Sequence, residues 1–202
     1  ERVFGAAAKG AIYEETVNAF RTHQDDSGIW QGEYWGKTML SAAVVAEWTG
    51  NEAHKAWLRD QARAFVKEFQ QPDGYLCTYT DRRFVGGPKP DAEMRKGWDR
   101  EVFCWNLWGR KYTMWALIEI ARVADAPDLL AAAARMMDQE IRQLKESGVR
   151  IENTGFFVGL PSMSVLKPLM VLWRATKNED YLKFAQEIVA AWDRAGNPQP
   201  NL

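Results

Sequence analysis

The sequence is poor in the residues that most often announce a metal or redox centre: two cysteines and two histidines among 202 residues. Cys77 and Cys104 form no Cys-x-x-Cys pair, and His23 and His54 fall in segments that read as surface helix. No zinc site or other cofactor is therefore evident in this chain alone. Both cysteines read as semi-buried thiols, and their scarcity fits a reducing compartment. Charge of one sign is also lacking. The formal net charge is -1, which supplies no basic field for a nucleic-acid backbone, so no nucleic-acid partner is expected. No run of roughly eighteen apolar residues occurs, and no membrane span is expected. The chain opens at Glu1 without a methionine or an apolar leader. A cytoplasmic protein and an exported one with its leader removed are both compatible with that start.

Tryptophan, by contrast, is abundant, with ten copies. Trp suits places where an apolar face needs a polar edge, as in ligand pockets. With 47% hydrophobic and 26% charged residues the composition is that of a globular protein. The length favours a single domain over 1–202.

The stretch Trp105-Asn106-Leu107-Trp108-Gly109-Arg110-Lys111-Tyr112-Thr113-Met114-Trp115 sets three tryptophans and a tyrosine beside two cations, then runs into a helical pattern. A pocket wall at a helix start can use aromatic faces for shape and Arg and Lys for fixed polar contacts. A core helix whose Arg110 and Lys111 snorkel to solvent is the competing reading.

In order along the chain, hydrophobic periodicity predicts helices over about Ala6–Thr22, Lys37–Trp48 and Glu52–Phe69. Asn51 after Gly50 suits a helix end, and Pro72-Asp73-Gly74 is turn chemistry. Tyr75–Thr80 reads as a short strand, followed by a long irregular stretch to about Trp98. Further helices are expected to about Val123, over Asp128–Lys145, to about Ala175 and over Glu179–Trp192. Three times a glycine- and aromatic-rich approach feeds a helix, a short turn follows, and a second helix leads away. The turns are Trp48–Asn51, Ala124–Pro127 and Ala175–Asn178. Repeated helical hairpins stack into a solenoid or close into a toroid, so the expected class is all-α.

Several of these segments carry a resemblance: Trp30-Gln31-Gly32-Glu33-Tyr34-Trp35-Gly36-Lys37, Gln71-Pro72-Asp73-Gly74-Tyr75-Leu76 and Trp108-Gly109-Arg110-Lys111-Tyr112-Thr113. Gly159–Ser164 and Thr176–Leu182 continue it in the same order. Together they resemble the β-L-arabinofuranosidase-like proteins of glycoside hydrolase family 127. The resemblance implies an (α/α)6 toroid whose inner helices line a sugar pocket, this chain supplying helical hairpins of a partial (α/α)6 toroid, its N-terminal portion. It implies a carbohydrate substrate, with catalytic residues in a later segment. Zinc is then expected only with a longer parent chain, and a missing C-terminal segment or self-association is expected to cover the open edge. Better-known members have a His-Glu-Leu-Tyr and Gly-His pattern where this chain has Trp105-Asn106-Leu107-Trp108 and Lys111-Tyr112, and a histidine near the place of Ser162. A non-catalytic carbohydrate-binding or scaffold toroid, and a sugar epimerase or lyase on the same fold, are the alternatives.

Glycoside hydrolysis commonly uses two carboxyl groups, one kept protonated by a dry environment. Glu33, among Trp30, Tyr34 and Trp35, is the weak catalytic candidate. The substrate-binding candidates are Trp30, Trp35, Lys37, Asp73, Tyr75, Trp108, Arg110, Lys111, Tyr112 and Ser162. Asp73 also reads as a turn residue, and Asp99, Arg100 and Glu101 as a solvated cluster. Arg110 and Lys111 beside aromatics suit a sugar bearing a carboxylate or sulfate. Ser162 and Ser164 have no adjacent histidine, which disfavours a serine nucleophile.

Overall fold

The computed structural model of the chain describes residues 11–23, 30–83, 104–155 and 159–194, and all regular structure among them is helical. The elements are α1 (Ala11–Arg21), α2 (Gly32–Thr49), α3 (Glu52–Phe69), α4 (Asn106–Val123) and α5 (Pro127–Ser147). A 3-10 turn (Ile151–Asn153), the one-turn α6 (Leu160–Met163), α7 (Leu166–Thr176) and α8 (Glu179–Trp192) complete them.

The three hairpins α2/α3, α4/α5 and α7/α8 turn where local chemistry demands. Gly50 takes φ +62° and returns its N–H to Ala46 and Glu47, and the Asn51 side chain then caps α3 by accepting from the His54 N–H at 3.2 Å. Pro127 opens α5, where its missing N–H costs nothing. Asn178 repeats the Asn51 cap for α8, accepting from the Asp180 N–H at 3.0 Å. These ends agree with the sequence reading to within about two residues.

Helix α4 is the centre of the fold, packed against α2, α3, α5, α6 and α7. Its closest neighbour is α2, through glycine. A Cβ on Gly36 would stand 2.4 Å from the Tyr112 carbonyl carbon, and one on Gly109 would lie 3.6 Å from Gly32. The glycines are where two helix backbones touch, so the Trp30–Lys37 segment is the first turns of a helix and not an approach loop. The helix begins at Gly32, earlier than the expected Lys37.

Residues 75–80 form no strand. With no neighbouring strand among the described residues, polar groups of this segment are met by turns and side chains. The Tyr75 carbonyl accepts from the Gln71 N–H, the Tyr75 hydroxyl donates to the Tyr79 carbonyl at 2.7 Å, and the Tyr79 hydroxyl accepts from the Trp105 N–H. The segment thereby anchors the start of α4. The early part of the first predicted helix, the polar turn 24–28, most of the long irregular stretch, Asp99, Arg100, Glu101 and the tail lie outside the described residues.

Buried side chains from all three hairpins form one cluster, including Trp35, Met39, Phe65, Leu117, Met137, Leu172 and Ile188. The far end of α2 leaves Val44 and Trp48 exposed, the latter 87%. No described helix is long and apolar enough to cross a membrane.

Candidate functional site

Helix α4 is buried on nearly every side. Apart from its last turn, where Arg122 is exposed and Val123 half-buried, the exception is a stripe of half-buried residues at Trp105, which caps the helix, Trp108, Tyr112, Trp115 and Glu119, spaced three or four apart and so stacked along one face. The rings meet in sequence: Trp105 and Trp108 at 6.0 Å, Trp108 and Tyr112 edge-to-face at 5.1 Å, Tyr112 and Trp115 stacked at 6.4 Å. Trp30, just before α2, extends the row by an edge contact to Trp105 at 6.0 Å. From Trp105 to Ile118 the half-open residues are all aromatic, a row of rings facing outward rather than into the core.

Three lysines from three elements stand over this wall. Lys37 of α2 lies 4.7 Å from the Tyr112 ring and 5.7 Å from Trp108. Lys111 of α4 lies 3.6 Å from Trp108 and 3.9 Å from Tyr112. Lys167 of α7 lies 4.2 Å from Trp115. Each geometry is a cation–π contact. The close approach at Gly36 brings Lys37 onto rings belonging to a different helix.

The two carboxylates beside the stripe are both tied down in the same way. Glu33, one turn before Lys37, accepts from the Lys37 ammonium at 2.8 Å and from the Trp108 indole N–H. Glu119 accepts from the Trp115 indole N–H at 3.3 Å and from Arg122 at 3.0 Å. Each therefore fixes a tryptophan ring. Glu33, the catalytic candidate, sits in the wall as an orienting group.

Lys111 is the unusual member. It is 4% exposed, and its ammonium donates to Ser164 Oγ at 2.9 Å. Ser164 gives its own proton to the Pro161 carbonyl, so its oxygen can receive Lys111. Burial pushes the lysine down to about 7; Glu33 opposes the shift and Lys37 adds to it. The unfolded chain, with the ordinary value of 10.5, then binds more protons than the folded chain above about pH 7. Stability from this group therefore rises as pH rises from about 7 towards 10.5. Lys111→Met, which removes the buried ammonium, is expected to stabilise the protein by roughly 1–3 kcal/mol near pH 6.5, and by less at pH 9. Urea unfolding of both proteins at the two pH values measures this. A difference that does not change with pH would mean Lys111 titrates in the ordinary range.

Other sequence candidates are placed elsewhere. Arg110, adjacent to Lys111, points into the interior at 1% exposure, with Nε 3.6 Å from Glu140 of α5 and the guanidinium donating to Met136, Gln139 and Gln143. Tyr75 is buried beneath that guanidinium, 5.2 Å away. Trp35 is fully buried and stacked on Phe65 at 3.7 Å. All three are engaged by core neighbours, away from the half-open stripe. Asp73 is the turn residue, accepting from the Tyr75 N–H at 3.1 Å and pairing with Arg82. Ser162 is buried beside Gly155, two residues before the serine that contacts Lys111. Trp30, Lys37, Trp108, Lys111 and Tyr112 do come together. Trp105, Trp115, Ser164 and Lys167 are not among the candidates read from the sequence; the spacing 105, 108, 112, 115 is the signal that points to Trp105 and Trp115.

No group of three or more His, Cys, Asp or Glu able to hold a metal occurs among the described residues. The Cys104 thiol donates to the Arg83 carbonyl at 2.9 Å, and burial pushes it up to about 12, the reverse of a metal-bound thiolate. The described residues thus do not fit a zinc ion.

Neither the curated proteins nor the solved structures contain a match to this chain. The family described as "Beta-L-arabinofuranosidase, GH127 catalytic domain" matches residues 3–195, nearly the whole length. That family is one of glycoside hydrolase catalytic domains, and the all-helical hairpins accord with part of its (α/α) toroid. With the match running through every hairpin and across the aromatic wall, the chain belongs to the β-L-arabinofuranosidase catalytic-domain family, glycoside hydrolase family 127.

Proposed function

We propose that this chain forms the substrate-binding wall of a glycoside hydrolase, holding an oligosaccharide against the stripe Trp105–Trp108–Tyr112–Trp115. The observation that carries the reading is the half-opening of four aromatic rings in a row along one face of a helix whose other residues from Asn106 to Ile118 are buried. Sugar rings present C–H faces that stack on aromatic surfaces while their hydroxyls seek fixed polar groups, and the lysines and carboxylates along the stripe are such groups. Residues outside the described ones supply the nucleophile and the acid in this reading, because Glu33 and Glu119 are each committed to an indole and a cation.

Trp108→Ala and Trp115→Ala are each expected to weaken oligosaccharide binding by about 3- to 10-fold, the worth of one aromatic contact. Titration by calorimetry with arabino-oligosaccharides and uronic-acid oligosaccharides provides the measurement. Affinity unchanged in both variants, or no binding of any saccharide, would refute the wall.

A second reading, binding without hydrolysis, is favoured by the same two tied carboxylates. Release of reducing sugar from the saccharides that bind decides between the two.

A further inference from the structure

Buried charges in proteins are paired or surrounded by acceptors, because desolvating an unpaired ammonium costs several kcal/mol. Arg110 obeys this rule. At 1% exposure it has a carboxylate at 3.6 Å and oxygen acceptors on three further residues. Lys111, the next residue and nearly as buried, has one acceptor, Ser164 Oγ, for three N–H donors. Among the described residues no carboxylate lies within ion-pair distance of it. Glu33, the acid whose charge it feels, is engaged by Lys37 and Trp108. Its remaining contacts are the faces of Trp108 and Tyr112, and these rings and Ser164 are themselves half-buried. The ammonium therefore sits one side chain beneath the open wall, with spare donors.

The charges around it point the same way. Glu33 offsets Lys37 at 2.8 Å, while Lys111 and exposed Lys167 have no carboxylate partner among the described residues. The wall carries a surplus of positive charge next to rings suited to a sugar.

We propose that this wall selects an acidic saccharide, one bearing a carboxylate or sulfate, and that the anionic group docks on Lys111 Nζ between Trp108 and Tyr112. The inference rests on the wall being a saccharide site and names the substrate class. Lys111 is the specificity determinant. The ligand's anion provides the partner that the fold withholds, and it does so only while the lysine is charged. The titratable and charged groups facing Lys111 are Glu33 and Lys37 from α2 and Tyr112 from its own helix, with Lys167 from α7 over the neighbouring Trp115; Ser164 does not titrate.

The test compares affinities for galacturonate oligosaccharides, sulfated oligosaccharides and neutral oligosaccharides of equal length, by calorimetry at pH 6 and pH 8.5. The acidic ligands are expected to bind at least about 10-fold more tightly at pH 6 and to lose most of that preference at pH 8.5, with neutral ligands unchanged. Lys111→Met is expected to abolish the preference for acidic over neutral ligands. Lys111→Arg, which stays charged at both pH values, is expected to keep the preference and lose its pH dependence. A preference for either the uronate or the sulfated set supports the proposal and identifies the anion. Equal affinity for neutral and acidic ligands would overturn it and leave the wall intact. A preference that survives Lys111→Met would also overturn it, placing selection on Lys37 or Lys167. Failure of every saccharide to bind would remove the wall itself, and the inference with it.

Discussion

Glu140→Ala is expected to cost about 3–5 kcal/mol of stability, which for a chain of this size lowers Tm by roughly 6–20 °C. Glu140 and Arg110 are each 1% exposed, so neither charge has solvent to fall back on. Burial holds the Glu140 carboxyl above its ordinary range, and Arg110 alone pulls against that shift. Removing the carboxylate leaves a guanidinium in the core with only amide and carbonyl oxygens to meet it. The pair ties the central helix α4 to α5, so the loss spreads through the hairpin. The double variant Arg110→Met, Glu140→Met removes both charges and keeps apolar volume, and it is expected to be far less damaging than Glu140→Ala. Thermal unfolding of the two variants and the wild type tests the argument. A loss below about 1 kcal/mol for Glu140→Ala would show that the pair contributes little, as surface pairs do.

Gly36→Ala is expected to be the other severe change, destabilising by about 2–3 kcal/mol or more and disrupting the site at once. The new Cβ would lie 2.4 Å from the Tyr112 carbonyl carbon, 2.5 Å from its oxygen and 2.7 Å from the Thr113 nitrogen. All three are backbone atoms inside a helix and cannot rotate away. Relief requires α2 to move off α4, which carries Glu33 and Lys37 away from Trp108 and Tyr112. Gly50→Ala is the contrast. There nothing lies within 4 Å of the added carbon, and the cost is confined to φ +62°, a strain of about 1 kcal/mol. Unfolding and saccharide titration of both variants should rank Gly36→Ala well below Gly50→Ala in stability, and only Gly36→Ala should lose binding. The reverse ranking would mean that the helices separate at little cost.

The hairpins were legible in the sequence because their ends are set by short-range chemistry. The Asn51 and Asn178 caps, Gly50 and Pro127 act on groups within a few residues of themselves, so their meaning survives without the rest of the fold. The glycines of the Trp30–Lys37 segment misled for the converse reason. Gly32 and Gly36 look like loop residues until the backbone of α4 is laid against them. Tyr75–Thr80 likewise has strand-like residues, but pairing needs a neighbouring strand, and none of the described residues forms one.

The site divides along the same line. That tryptophans and cations cluster around residues 105–115 is a property of the sequence, and so is the family resemblance that predicted an all-α toroid. Which of those residues stay half-open is not. Arg110 and Lys111 are neighbours about 100° apart around one helix, and nothing local distinguishes their surroundings. Trp35 and Trp108 are equally tryptophan. Only the packing of α5 places Glu140 against Arg110, and only the packing of α3 places Phe65 against Trp35, while Trp108 stays half-buried and Lys111 is buried beside it with Ser164 Oγ as its acceptor. Helix type and turn position follow from interactions along the chain; exposure and charge pairing follow from elements tens of residues away, and those the tertiary structure decided.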